Sequence, residues 1–217
     1  METASVLAVC RVHQLVPDAS NVGVTAIDKR AVDGPVKVHK MGLQGDIQAN
    51  RVHHGGPDQA LYAYSQADAD FWAGELQRDL PPGIFGENLR VGIDATNAVI
   101  GERWKIGLDV EVEVTSPRTP CATFQRRMAE PQFVRRFTVA GRVGAYLRVI
   151  RTGTIQSGDH IHKLYVPKHG VTVGKWFSAP DLESMEALKD ADADGAIRLQ
   201  QPEFRKKFEA LQRQLAR

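Results

Sequence analysis

The first two thirds of the chain is a succession of short apolar runs, interrupted every few residues by glycine, proline or charge. Val6–Val12 is mostly apolar, and residues 60–64 and 146–150 are similar. Residues 110–114 alternate valine with glutamate, the period of two expected of a half-buried strand. Gly101, Gly107, Gly153 and Gly158 punctuate these runs as turn residues. Two stretches carry helical signals instead. Ser65-Gln66-Ala67-Asp68 has the spacing of a capping box, and Phe71, Trp72, Leu76 and Leu80 give one apolar face to a helix that Pro81-Pro82-Gly83 would stop. A second helix is predicted from Pro120 toward Met128, with Thr119 as N-cap. Many short strands and few helices predict a mainly β, α+β fold built on an antiparallel sheet or barrel.

Near Pro167 the pattern changes to three helical segments, at about residues 170–177, 181–190 and 201–216. Asp181 is a good N-cap for the second, and Pro202 falls in the first turn of the third, where its missing N–H costs little. Phe204, Phe208, Leu211 and Leu215 recur at three and four residues. Two domains are therefore expected, a strand-rich one over 1–166 and a small helical one over 167–217.

Composition narrows the function classes. The chain has 217 residues, of which 42% are hydrophobic and 25% charged, values of an ordinary globular protein with a sizeable core. A net charge of +2 is too small to argue for nucleic acid as a partner. Cys10 and Cys121 are two cysteines, too few for a disulfide framework. No stretch approaches the roughly 20 apolar residues of a membrane helix, and the first residues have no signal-peptide pattern. The expected setting is cytoplasmic, with reduced thiols and no membrane partner.

Three polar blocks carry candidate chemistry. In Ser116-Pro117-Arg118-Thr119-Pro120-Cys121, the cysteine falls in the first turn of a predicted helix beside an arginine. Helix dipole, unpaired N–H groups and Arg118 would all favour a thiolate, which is a nucleophile and a soft metal ligand. Cys10, in an apolar strand with no polar neighbours, reads as inert packing. The second block, Arg51-Val52-His53-His54-Gly55-Gly56-Pro57-Asp58, is a loop in which two glycines let the backbone approach a ligand, and Asp58 would orient a histidine or accept a proton. The third, Phe85-Gly86-Glu87-Asn88-Leu89, sets a carboxylate and an amide among apolar residues, where they would bond a polar ligand. Arg148 lies in an apolar strand, so its charge needs an anion or a carboxylate. Each block has a plainer alternative as a turn or a solvated surface. His160 and His162 share one strand face and read as surface residues, as do His39 and Lys40. Residues 170–176 are one residue short of a P-loop, and His53, His54 and Cys121 do not have usual zinc-ligand spacing.

Taken in order, five pieces resemble the MOSC family, named for the C-terminal domain of molybdenum cofactor sulfurases. They are Gly42-Leu43-Gln44-Gly45-Asp46; His54-Gly55-Gly56-Pro57-Asp58 with Tyr62 and Tyr64; Phe85-Gly86-Glu87-Asn88-Leu89; Ile100-Gly101-Glu102; and Pro117-Arg118-Thr119-Pro120-Cys121. The helical tail is similar to the three-helix domain of the stand-alone bacterial YiiM-like branch. The resemblance implies a β-barrel of short, mostly antiparallel strands with peripheral helices, holding molybdenum cofactor, a molybdopterin that carries the metal. It implies Cys121 as the protein ligand to molybdenum. His54, Asp58 and Glu87 would orient substrate or handle protons. Arg51, Arg118 and Arg148 would hold the cofactor phosphate or an oxyanion, with His53, Gly55, Gly56 and Asn88 completing the cofactor site. The implied activity is reduction of N-hydroxylated small molecules of the hydroxylaminopurine type. No flavin, haem or iron–sulfur motif is visible, so electrons would come from a separate reductase. The alternative is a cofactor or sulfur carrier using a Cys121 persulfide. Pyridoxal phosphate, also associated with the family, needs a Schiff-base lysine, and no lysine falls inside a motif. The tail would dock the electron donor, pair subunits as a homodimer or cap the barrel. Asn50, Gln59 and Ala122 depart from residues frequent in the branch, which bears on substrate preference.

Overall fold

The protein was analysed as a computed structural model, which describes residues 4–20, 22–49, 55–199 and 202–215. Among these, thirteen strands follow in chain order: β1 (Val6–Val12), β2 (Val16–Pro17), β3 (Val24–Thr25), β4 (Lys29–Ala31), β5 (Val36–His39), β6 (Gly42–Leu43), β7 (Leu61–Ser65), β8 (Leu89–Val91), β9 (Arg103–Ile106), β10 (Val110–Pro117), β11 (Ala145–Arg151), β12 (Gly153–Ile155) and β13 (Ile161–Tyr165). The helices are α1 (Gln66–Leu76), α2 (Ala122–Met128), α3 (Phe133–Ala140), α4 (Val173–Ser178), α5 (Leu182–Ala193) and α6 (Pro202–Leu215).

Eight strands form one sheet in the order β13-β9-β10-β11-β7-β8-β1-β4. Its pairings are antiparallel except β7 with β8, which run parallel. The arrangement is α+β with a large, mostly antiparallel sheet, and a closed barrel is not shown among the described residues. The start of β1 meets the segment leading into β13 at a bridge between Ser5 and His160, where Val6 N–H donates to Asp159 O (2.9 Å), Gly158 N–H to Val6 O (2.8 Å) and Ile161 N–H to Ala4 O (2.7 Å). From Cys10 onward the exposed edge of β1 is taken by β4, so further rungs toward β13 have no partner groups left.

In β10, Val110, Val112 and Val114 are buried and Glu111 is half-buried, but Glu113 is buried too, so the expected alternation holds only in part; the strand continues to Pro117. Helix α1 starts after Ser65 as predicted, but the capping box is not made. The Ser65 hydroxyl accepts from Ala95 N–H (2.8 Å), and the Asp68 carboxylate is used by Thr96 (2.9 Å) and Arg142 (2.7 Å). Tertiary partners outcompete the local cap here. Trp72, Phe133 and Phe137 join Phe124, Phe85 and Tyr64 in a continuous aromatic core between the sheet and helices α1, α2 and α3.

The three tail helices are present, with Asp181 capping α5 through Ser184 N–H (2.8 Å). Trp176, Met185, Leu188, Ile197 and Phe204 belong to the same core cluster as the sheet. Gly101 shows how closely the two pack. Its φ is +84°, and a Cβ there would lie 2.1 Å from Ile197 Cγ2.

Candidate functional site

A cavity of about 390 Å³ opens beside the sheet, walled by the β2–β3 hairpin, the loop after β6, the start of β8 and the segment leading into α2. Cys121 and Arg118 both line it. The entrance to α2 differs from the sequence expectation. Cys121 itself is the N-cap, with extended backbone (φ −136°, ψ 172°), and the helix starts at Ala122 instead of Pro120. The seven-residue helix gives Cys121 less dipole than the longer one expected. The thiol is half-buried, and neither cysteine is in a disulfide. Cys10, by contrast, is fully buried in β1, and burial pushes its thiol up to about 12, as befits inert packing.

Arg118 is 6% exposed. Its guanidinium lies 3.7 Å from the centroid of Phe124, with Tyr62 and Phe137 each at 5.9 Å. Its Nη1 has no hydrogen-bond partner among the described residues, and no carboxylate pairs with it there. Aromatic faces thus hold a buried cation beside a cavity while leaving part of its hydrogen-bonding edge unmet. Burying such a group is costly unless a ligand completes it.

Other predicted site residues are placed differently. Arg148, in β11, is also 6% exposed, but its Nε donates to Asp58 (2.6 Å), its Nη1 to Glu113 (2.7 Å) and its Nη2 to Arg198 O (2.9 Å). The carboxylate alternative for Arg148 is therefore the one realised, and no anion-binding edge remains. Asp58, expected to handle protons, is consumed by the same pairing, and neither residue lines the cavity. Glu87 is likewise corrected. Its carboxylate is fully buried and accepts from Gly83 N–H (2.8 Å), Phe85 N–H (3.0 Å) and Arg90 (2.6 and 3.0 Å). Phe85, Gly86 and Asn88 line the cavity, whereas Glu87 does not, and its carboxylate holds the turn through Gly83 and Phe85 N–H.

Asn88 braces the wall. Its amide accepts from Tyr62 N–H (3.1 Å) and donates to Asp46 (2.8 Å) and Cys10 O (3.3 Å). The N–H groups of Gly55 and Gly56 are met by the side chains of Gln59 and Gln48, each at 3.1 Å. Tyr62 and Tyr64 donate to Val143 O (2.8 Å) and Arg142 O (3.0 Å), and burial raises both phenols well above their ordinary value. Arg51, His53 and His54 lie outside the described residues. His160 and His162 are exposed, as expected.

The structure adds residues that the motifs did not single out. Lys29 lines the cavity, ion-paired to Asp46, and Asp46 also accepts from Val12 N–H (2.8 Å). Lys29 lies outside every motif, so the expectation that no lysine falls inside one stands, yet a lysine does line the cavity. Asp46 belongs to the Gly42–Asp46 piece, whereas Lys29, in β4, carried no local signal. Asp18, on the hairpin, is gripped by Arg126 Nε (2.9 Å) and the Thr123 hydroxyl (2.9 Å), which ties the hairpin over the cavity to α2.

No group of three or more His, Cys, Asp or Glu suited to a metal occurs among the described residues. A metal held at Cys121 would find no cluster of further protein ligands among the described residues, which leaves room for ligands from a cofactor. The donor set, one thiol and one unmet guanidinium on a shared cavity, fits an anionic cofactor that brings its own sulfur ligands. Among the described residues no helix is long and apolar enough to cross a membrane.

The chain belongs to the MOSC family: the MOSC domain matches residues 50–162. It is 33% identical over 150 residues to the uncharacterized protein YflK of Bacillus subtilis, covering 69% of this chain and 67% of that protein. It is 37% identical over 147 residues to a protein of Gibberella moniliformis named a reductase, and spans 26% of that longer protein. The crystal structure of YiiM from Geobacillus stearothermophilus superposes with a TM-score of 0.73, covering 96% of this chain and 98% of that one at 21% identity, which is a likeness of fold.

Proposed function

We propose that this protein is a molybdenum-cofactor-dependent reductase of N-hydroxylated small molecules. The observation that carries the reading is the pairing of a half-buried thiol, Cys121, with an unmet buried guanidinium, Arg118, on one cavity wall. The relative named a reductase supports the reaction class. When bound, the cofactor supplies two-electron redox chemistry at molybdenum. Cys121 is the protein's ligand to the metal. Arg118 binds the cofactor's anionic part through a charge-assisted hydrogen bond. Phe85, Gly86 and Ala122 form an apolar wall that excludes water from the reacting N–O bond. A separate reductase delivers the electrons.

The experiment supplies molybdenum-loaded protein with 6-hydroxylaminopurine and reduced methyl viologen. The expected result is formation of the amine, lost in Cys121→Ser and kept in Cys10→Ser. No amine from protein that contains molybdenum and cofactor overturns the proposed activity.

A further inference from the structure

Reduction of a hydroxylamine to an amine and water consumes two protons as well as two electrons, so the cavity needs a proton donor. Asp58 is spent on Arg148, and Glu87 on Arg90 and two backbone N–H groups; neither reaches the cavity. Of the described groups that line it, Tyr62 already donates to Val143 O (2.8 Å). Arginine does not give up its proton, and Cys121 is assigned to the metal. What remains is Tyr146 and the Lys29–Asp46 pair.

Lys29 is nearly buried, and its one recorded partner among the described residues is Asp46. That carboxylate is held on three sides, by Lys29, by Val12 N–H (2.8 Å) and by Asn88 (2.8 Å). A carboxylate so fixed gives the ammonium a defined position and leaves its other N–H bonds for the cavity. Lys29 opens a three-residue strand, and an intact buried ion pair is a weak net stabiliser, although removing one partner alone is costly. Its position on the cavity wall gives it a chemical use.

Resting on the reductase reading, we propose that Lys29, positioned by Asp46, is the proton donor to the departing oxygen of an N-hydroxylated substrate. As the N–O bond breaks, two electrons arrive from the external reductant. The oxygen leaves as water after taking one proton from Lys29 Nζ, and the nitrogen takes the second from solvent at the cavity mouth. Lys29 is then reprotonated by solvent. The wall thus selects substrates with a small, neutral N–OH group, since a bulky O-substituent would be held away from Nζ.

The test compares Lys29→Ala, Lys29→Arg and Tyr146→Phe with wild type, using 6-hydroxylaminopurine and reduced methyl viologen. Molybdenum content and the unfolding midpoint of the metal-free protein are measured in parallel. The expected result is a fall in kcat of about 100-fold or more in Lys29→Ala at unchanged molybdenum content, partly restored by added ethylammonium. Lys29→Arg keeps the ion pair and the unfolding midpoint but loses rate to a similar degree, because guanidinium is a poor acid. Wild-type rate in either Lys29 variant overturns the proposal, as does loss of rate in Tyr146→Phe alone. Wild-type protein that holds no molybdenum overturns the reductase reading and this donor with it, whereas metal-loaded Lys29→Ala at full rate overturns the donor alone.

Discussion

Arg118 and Arg148 are equally buried, each 6% exposed, yet they stand in opposite chemical situations. Arg148 is enclosed by Asp58, Glu113 and a backbone carbonyl, so its charge is balanced inside the protein. Arg118 rests on the face of Phe124 beside a cavity, with Nη1 unmet among the described residues. The first arrangement knits the 57–59 turn, β10, β11 and the tail. The second leaves an electrostatic deficit that an anion can fill. Burial alone does not mark a functional charge; the presence or absence of its protein partner does.

The largest effect expected from breaking this contrast is on stability. Arg148→Met strands Asp58 and leaves Glu113 with Arg103 alone, and removing one partner of a buried pair costs about 3–5 kcal/mol. Chemical denaturation should show that loss. Arg118→Met removes a charge with no protein partner to strand, so its stability should stay within about 1 kcal/mol of wild type. An equal loss in both variants would erase the distinction drawn between them. The binding experiment reverses the order. Metal-free protein should bind inorganic phosphate at low salt, with affinity about tenfold or more weaker in Arg118→Met, consistent with one lost charge-assisted bond. Calorimetry that finds equal affinity would remove Arg118 from the anion site.

A smaller effect concerns the hairpin that covers the cavity. Burial tends to raise the Asp18 carboxyl, but hydrogen bonds from Arg126, Thr123 and Ser20 outweigh it and hold the group below its ordinary value. A depressed carboxyl contributes stability that is present above its unfolded value, about pH 4, and is lost as pH falls through the lower folded value. Hydrogen-exchange protection of the hairpin backbone, measured against intrinsic rates, should therefore fall below about pH 4 in wild type. In Asp18→Asn that protection should already be lower at neutral pH and lack the acid limb.

Much of the fold was legible in the sequence because its signals are local. Val6–Val12 forms the strand that its apolar run predicts, Asp181 caps its helix, and the three tail helices fall close to their predicted bounds. The failures are places where distant groups won. Ser65 and Asp68 left their cap for Ala95, Thr96 and Arg142. The candidate site divides the same way. Cys121 and Arg118 were visible as a motif and do share the cavity. Asp58 sat in an equally suggestive motif but pairs with Arg148, ninety positions away, which no spacing rule reveals, whereas Glu87 is taken by Arg90 only three residues on. Lys29 was silent because its meaning depends wholly on Asp46, seventeen positions away.

The central claim is that Cys121 is the protein's bond to molybdenum. Metal analysis of freshly purified wild type, Cys121→Ser and Cys10→Ser, made with ample molybdate and intact cofactor synthesis, tests it directly. The account predicts molybdenum with pterin in wild type and Cys10→Ser, and neither retained in Cys121→Ser. Wild type without molybdenum, or Cys121→Ser that keeps it, would contradict the account.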